Sequence, residues 1–129
     1  MDDIIIKKLV NLRFMHFPDK TIDCKFAGRP YLIYKIDDKY SYLLKLSSKK
    51  SNKGLNYYYE LLPDSSNKLD KKSYVDLKYF IVYEIEKLKR VLLTQKLEYG
   101  LREYGIIKDE QLDEILSQIN MLYVSTLQV

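Results

Sequence analysis

Polar and apolar residues alternate along 40–46, with Tyr40, Tyr42, Leu44 and Leu46 on one face and Ser41, Leu43 and Lys45 on the other. A period of two marks a strand with one face in the core. The same period recurs over 55–62, where Leu55, Tyr57, Tyr59 and Leu61 oppose Asn56, Tyr58, Glu60 and Leu62. It runs longest over 73–84, with Val75, Leu77, Tyr79, Ile81 and Tyr83 on a single face. Residues 31–36 read as a continuous apolar strand broken only by Lys35, and Asp37-Asp38-Lys39 makes the turn into the next strand. Residues 4–17 fit two periods: Leu9, Leu12 and His16 are spaced as on a helix, while Val10, Leu12, Phe14 and His16 alternate. Phe14 and Phe17 ahead of Pro18-Asp19 favour a strand that ends at a turn. Residues 18–28, 47–54 and 63–72 read as loops, the last too short to separate domains.

After residue 84 the period changes. Ile85, Leu88, Leu92, Leu97, Leu101 and Tyr104 recur every three to five residues, as in one or two helices, with Glu86 four before Arg90. Gly100 weakens that pattern and Gly105 stops it. A last helix is expected from Asp109 to about Leu122, with Leu112, Ile115, Leu116, Ile119 and Leu122 on one stripe and acids in the first turn. About five strands before two or three C-terminal helices make the class α+β, built on a small, strongly bent antiparallel sheet or half-open barrel.

Composition narrows this picture. With 129 residues, 47% apolar and 31% charged, residues 1–129 are expected to form one globular domain. A single cysteine, Cys24, excludes an internal disulfide and fits a reducing compartment. No apolar run reaches the roughly 18 residues of a membrane span, and the acidic opening MDDIII lacks the character of a secretory signal. The expected location is cytoplasmic, with no membrane partner. The net charge of +4 is modest but unevenly spread: Lys35, Lys39, Lys45, Lys49, Lys50 and Lys53 cluster in one half, whereas Asp109, Glu110, Asp113 and Glu114 crowd the other. The basic half is the one suited to phosphate. Most of the thirteen tyrosines are expected to be core.

The candidate chemistry sits on the hairpin 28–50, GRPYLIYKIDDKYSYLLKLSSKK. Antiparallel pairing brings the start of the first strand beside the end of the second. Pro30 lacks an N–H and suits the first position of a strand, so Arg29 is held at its entrance. Arg29 then meets Ser47, Ser48, Lys49 and Lys50 at one rim, a cationic cluster with hydroxyl donors. Other chemistries are missing: one histidine and one cysteine make no zinc cluster, and four glycines make no dinucleotide or phosphate-loop fingerprint. No metal and no cofactor are expected. His16, the lone histidine, is more often structural than catalytic.

The order of Gly28-Arg29-Pro30 opening one strand, Leu46-Ser47-Ser48 ending the next, Ser73-Tyr74-Val75-Asp76-Leu77 opening a long strand and GIIKDEQLDEI at 105–115 leading a final helix resembles the MazF/PemK endoribonuclease toxins. The loop 46–50 is also similar to the leucine-threonine-serine-proline-lysine loop of the ToxN/AbiQ/CptN toxins of type III systems, where a lysine takes the place of Arg29. Ser47 stands where both branches usually carry threonine, the glycine-aspartate opening of MazF is missing, and 93–104 looks like an insertion. The resemblance implies an SH3-like barrel that cleaves single-stranded RNA without metal, leaving 2′,3′-cyclic phosphate and 5′-hydroxyl ends. It implies catalytic roles for Arg29, Ser47, Ser48 and Lys50, with Lys45, Lys49, Lys53, Tyr31 and His16 along the RNA. The implied partner is a cognate antitoxin, a small protein in type II systems or a repeat RNA in type III, with a homodimer or toxin–RNA oligomer as the assembly. Growth inhibition and phage defence are the implied roles. The rival expectation is a non-catalytic SH3-like module that binds RNA or protein at the same rim.

Overall fold

A computed structural model describes residues 4–24, 27–49 and 57–127, of which 123–127 are described as backbone only. Lys50, Lys53 and the first two positions of the strand expected over 55–62 lie outside the described residues. Among the described residues eight strands precede two helices: β1 (Leu9–Leu12), β2 (Phe14–His16), β3 (Thr21–Asp23), β4 (Arg29–Ile36), β5 (Tyr40–Ser47), β6 (Tyr58–Leu61), β7 (Ser73–Asp76), β8 (Ile81–Glu84), α1 (Ile85–Glu98) and α2 (Asp109–Leu127). The chain is α+β, with a mostly antiparallel sheet that does not close, ordered β1-β4-β5-β7-β6, and β8 also paired to β5. β2 and β3 form a separate hairpin.

At its centre the sheet is buried on both sides, which is why residues 31–33 show no alternation. Leu9, Leu32, Leu44, Leu46 and Val75 pack under Ile115 and Ile119 of α2. Val10, Tyr31, Ile33 and Leu43 face the opposite way, against Leu88 of α1 and Met15 of the hairpin. Leu9, Leu32, Ile33 and Leu43 are fully buried, and each such side chain is worth about 1.5–3 kcal/mol relative to exposure. A register shift between Ile33 and Lys35 makes Tyr34 a bulge, and its ring lies edge-on to Tyr42 and Phe80.

Four expected elements change. The strand expected across 73–84 is broken in two: the Asp76 carboxylate accepts the Lys78 N–H at 2.9 Å, an Asx-type turn that ends β7. β7 pairs with the end of β5, Leu46 opposite Val75 and Ser47 opposite Tyr74, while β8 pairs with its beginning. The loop expected over 18–28 contains β3, paired to β2 from Phe14–Asp23 to His16–Thr21. The helix pattern expected as far as Tyr104 stops at Glu98, and Gly105 is not a helix stop. A Cβ at this position would collide with the Ser66 carbonyl, and the Gly105 carbonyl accepts the Leu9 N–H at 2.9 Å. α2 runs past Leu122 to Leu127. Among the described residues no helix is long and apolar enough to cross a membrane.

Candidate functional site

Arg29 opens β4 and Ser47 closes β5. The β4–β5 register sets Tyr31 opposite Lys45, and two residues further along the same antiparallel ladder Arg29 faces Ser47. The guanidinium Nη1 donates to Ser47 Oγ at 3.1 Å. On one flank Leu12 of β1 is the Cα partner of Arg29, and on the other Tyr74 of β7 is the partner of Ser47. Cross-strand partners point to one face, so Leu12, Arg29, Ser47 and Tyr74 form a row, with Tyr31 and Lys45 the next row inward.

Gly28 fixes the approach of Arg29. It has φ +81°, and a Cβ would collide with the side-chain carbonyl of buried Asn11. Gly28→Ala therefore meets both a strained backbone and a steric wall, at an expected cost of about 1–3 kcal/mol. A fall in the urea midpoint checks the cost, and weaker phosphate binding checks the loss of Arg29 placement.

Arg29 is half-buried and Lys45 likewise. None of the ion pairs among the described residues involves Arg29, Lys45 or Lys49, so their charge is left for an outside anion. Beneath them Cys24 and Tyr31 share a hydrogen bond, the Tyr31 hydroxyl donating to Sγ at 3.3 Å. Burial pushes the Cys24 thiol up from its ordinary value, opposed by the Tyr31 hydrogen bond and the Arg29 charge. Burial, then the bond to Cys24, pushes the Tyr31 hydroxyl up as well. Both groups stay protonated near neutrality and supply no base.

The expected site residues divide accordingly. Arg29, Ser47 and Lys45 share one face, and Ser48 and Lys49 follow Ser47 as exposed residues in a bend. Tyr31 does not line an RNA path. It is 2% exposed and packed in the core with Leu12, Ile33 and Leu43, because both faces of β4 are covered there, so its ring has no free face for a base. His16 is exposed on β2, its Nδ1 3.1 Å from Thr21 Oγ1 and its ring stacked on Phe14, in a cleft beside α1. Tyr74 joins the site unanticipated. Its position beside Ser47 follows from the β5–β7 pairing, and Lys72 Nζ stands 6.0 Å from its ring.

The arrangement offers a planar cation, a hydroxyl and a second ammonium at a sheet rim, groups that hold and polarise a phosphate. It supplies no nucleophile of its own. Among the described residues no three His, Cys, Asp or Glu side chains come together in a way that could hold a metal ion. No protein-family model and no curated protein matches the chain, and the reading of its site rests on these residues.

Proposed function

We propose that the protein is the toxin of a toxin–antitoxin pair, an endoribonuclease that cuts single-stranded RNA by transesterification without a metal ion. The observation that carries this reading is the 3.1 Å bond between Arg29 Nη1 and Ser47 Oγ, which joins two residues eighteen positions apart in the chain at one rim. RNA brings its own nucleophile. The ribose 2′-oxygen bonds to the adjacent phosphorus, the bond from phosphorus to the 5′-oxygen breaks, the 2′-hydroxyl gives up its proton and the 5′-oxygen gains one. The ends are a 2′,3′-cyclic phosphate and a 5′-hydroxyl. A protein accelerates this step by in-line positioning and by stabilising the extra charge on the pentacoordinate phosphorus. Arg29 supplies the positive charge that offsets it, Ser47 fixes the guanidinium and donates to a nonbridging oxygen, and Lys45 adds a second positive charge. Ser48 and Lys49 extend the anion path. The substrate meets the protein in the cytoplasm, where a cognate antitoxin holds it in check.

Purified protein incubated with a long unstructured RNA in EDTA is expected to yield discrete fragments that resist 5′-phosphate-dependent exonuclease and carry cyclic phosphate ends. Retention of RNA that falls steeply with salt, with no fragments across varied sequences, would instead identify a binding module.

A further inference from the structure

The hairpin β2–β3 and helix α1 enclose an open cleft of about 580 Å³, within the range of about 300–1,000 Å³ typical of small-ligand sites. Its position relates it to the phosphate site. Leu12 is the direct partner of Arg29, β2 begins two residues later, and the Arg13 carbonyl accepts the Cys24 N–H at 2.8 Å, which closes the base of the hairpin next to the thiol that feels the Arg29 charge. Cleft and Arg29 therefore lie on the same side of the sheet.

The walls are aromatic and the rim is cationic. Phe14 and Tyr99 are joined through the Arg13 guanidinium, 4.9 Å and 4.5 Å from the two ring centroids. The His16 ring lies nearly parallel to Phe14, at 16° and 6.1 Å. Lys87 and Arg90 project from α1 one turn apart; Lys87 is paired to Glu84 at 3.3 Å, whereas Arg90 takes part in no ion pair among the described residues. Glu98 is the one acid in the lining. Gln95 at the floor has its polar atoms committed to backbone groups, which leaves the Thr94 and Tyr99 hydroxyls and the second ring nitrogen of His16 among the groups for polar recognition.

We propose that this cleft receives the base of a ribonucleotide flanking the phosphate held at Arg29, a choice of ligand that rests on the nuclease reading above. Flat rings suit a base, which stacks on aromatic side chains in single-stranded RNA recognition. The free guanidinium of Arg90 suits the phosphate attached to it. An apolar peptide would fill the walls but leave Arg90 unanswered. The cleft thereby sets which sequence is cut, while Arg29 and Ser47 act on any phosphate.

The test uses the full chain carrying Arg29→Ala, which disables the phosphate rim, and the four nucleoside monophosphates titrated one at a time. At least one of them is expected to shift the amide resonances of Phe14, His16, Thr94 and Tyr99 saturably, whereas inorganic phosphate is not. Thr94→Trp, placed on the exposed side of α1 to fill the cleft, and Tyr99→Ala are each expected to weaken that binding at least tenfold. No saturable shift at these amides up to roughly 10 mM, a concentration that detects even about 4 kcal/mol of binding, overturns the proposal, as does affinity untouched by both variants. The readout needs no cleavage. Intact RNA with Thr94-dependent nucleotide binding sinks the nuclease reading and upholds the cleft, and cut RNA with silent amides does the reverse.

Discussion

Arg29→Ala is expected to lower RNA cleavage by about 10²–10³-fold, the usual effect of removing one preorganised donor from a developing oxyanion. It should do so without unfolding the protein. The side chain is half-buried at the mouth of β4, its strand is held by main-chain pairing to β1 and β5, and the Ser47 it releases is itself only half-buried. A stability change of about 0.5 kcal/mol or less is expected for such a surface change. Arg29→Lys keeps a cation but loses the planar fork that engages two oxygens at once, so it is expected to fall between wild type and alanine. Ser47→Ala removes the group that orients the guanidinium and should cost roughly tenfold or more, in line with the loss of about 1.5–3 kcal/mol for a hydrogen bond to a charged group. Initial rates on a fluorogenic single-stranded RNA, beside urea melts of each variant, measure both effects. A wild-type rate for Arg29→Ala in a folded chain would mean that the rim does no chemistry.

The hairpin that carries this pair was legible because its cues are local. Asp37-Asp38-Lys39 marks a reversal, and any antiparallel pairing of the two flanking strands brings Arg29 near Ser47, whatever the register in detail. Tyr74 was not legible, because which strand lies outside β5 depends on where the alternating run 73–84 bends. A bend made by the Asp76 carboxylate leaves the period of two intact on both sides. Tyr31 misled for a related reason: an aromatic residue near a basic rim looks like a base platform, and only the packing of α1 and the β2–β3 hairpin onto that face turns it into core. β3 has three residues with no periodic run of their own, and it exists because β2 needs a partner. Gly105 read as a helix stop since glycine commonly ends helices, whereas its actual constraint is a carbonyl from 66, far off in the chain.

Gln95 is the largest structural surprise, and Gln95→Leu is expected to destabilise the fold by about 3 kcal/mol or more. On a helical wheel it reads as a polar residue in an amphipathic helix, yet it is 3% exposed. The chain bends at Arg13 between β1 and β2, so the N–H groups of Arg13 and Phe14 lose the ladder that would otherwise satisfy them. Gln95 Oε1 accepts both, and its Nε2 donates to the Asn11 carbonyl at 2.9 Å. One side chain from α1 thus stands in for the missing strand. Leucine is close in size, so packing is largely kept while two N–H groups and a carbonyl are left in a dry place, each at about 1–3 kcal/mol. Against a total stability of about 5–15 kcal/mol, that loss is large enough to move the urea midpoint well down without changing the slope. Thr94→Ala, one position away and exposed, should stay within about 0.5 kcal/mol. A Gln95→Leu protein as stable as wild type would show that water or a rearranged backbone satisfies the bend, and that α1 holds the hairpin by apolar packing alone.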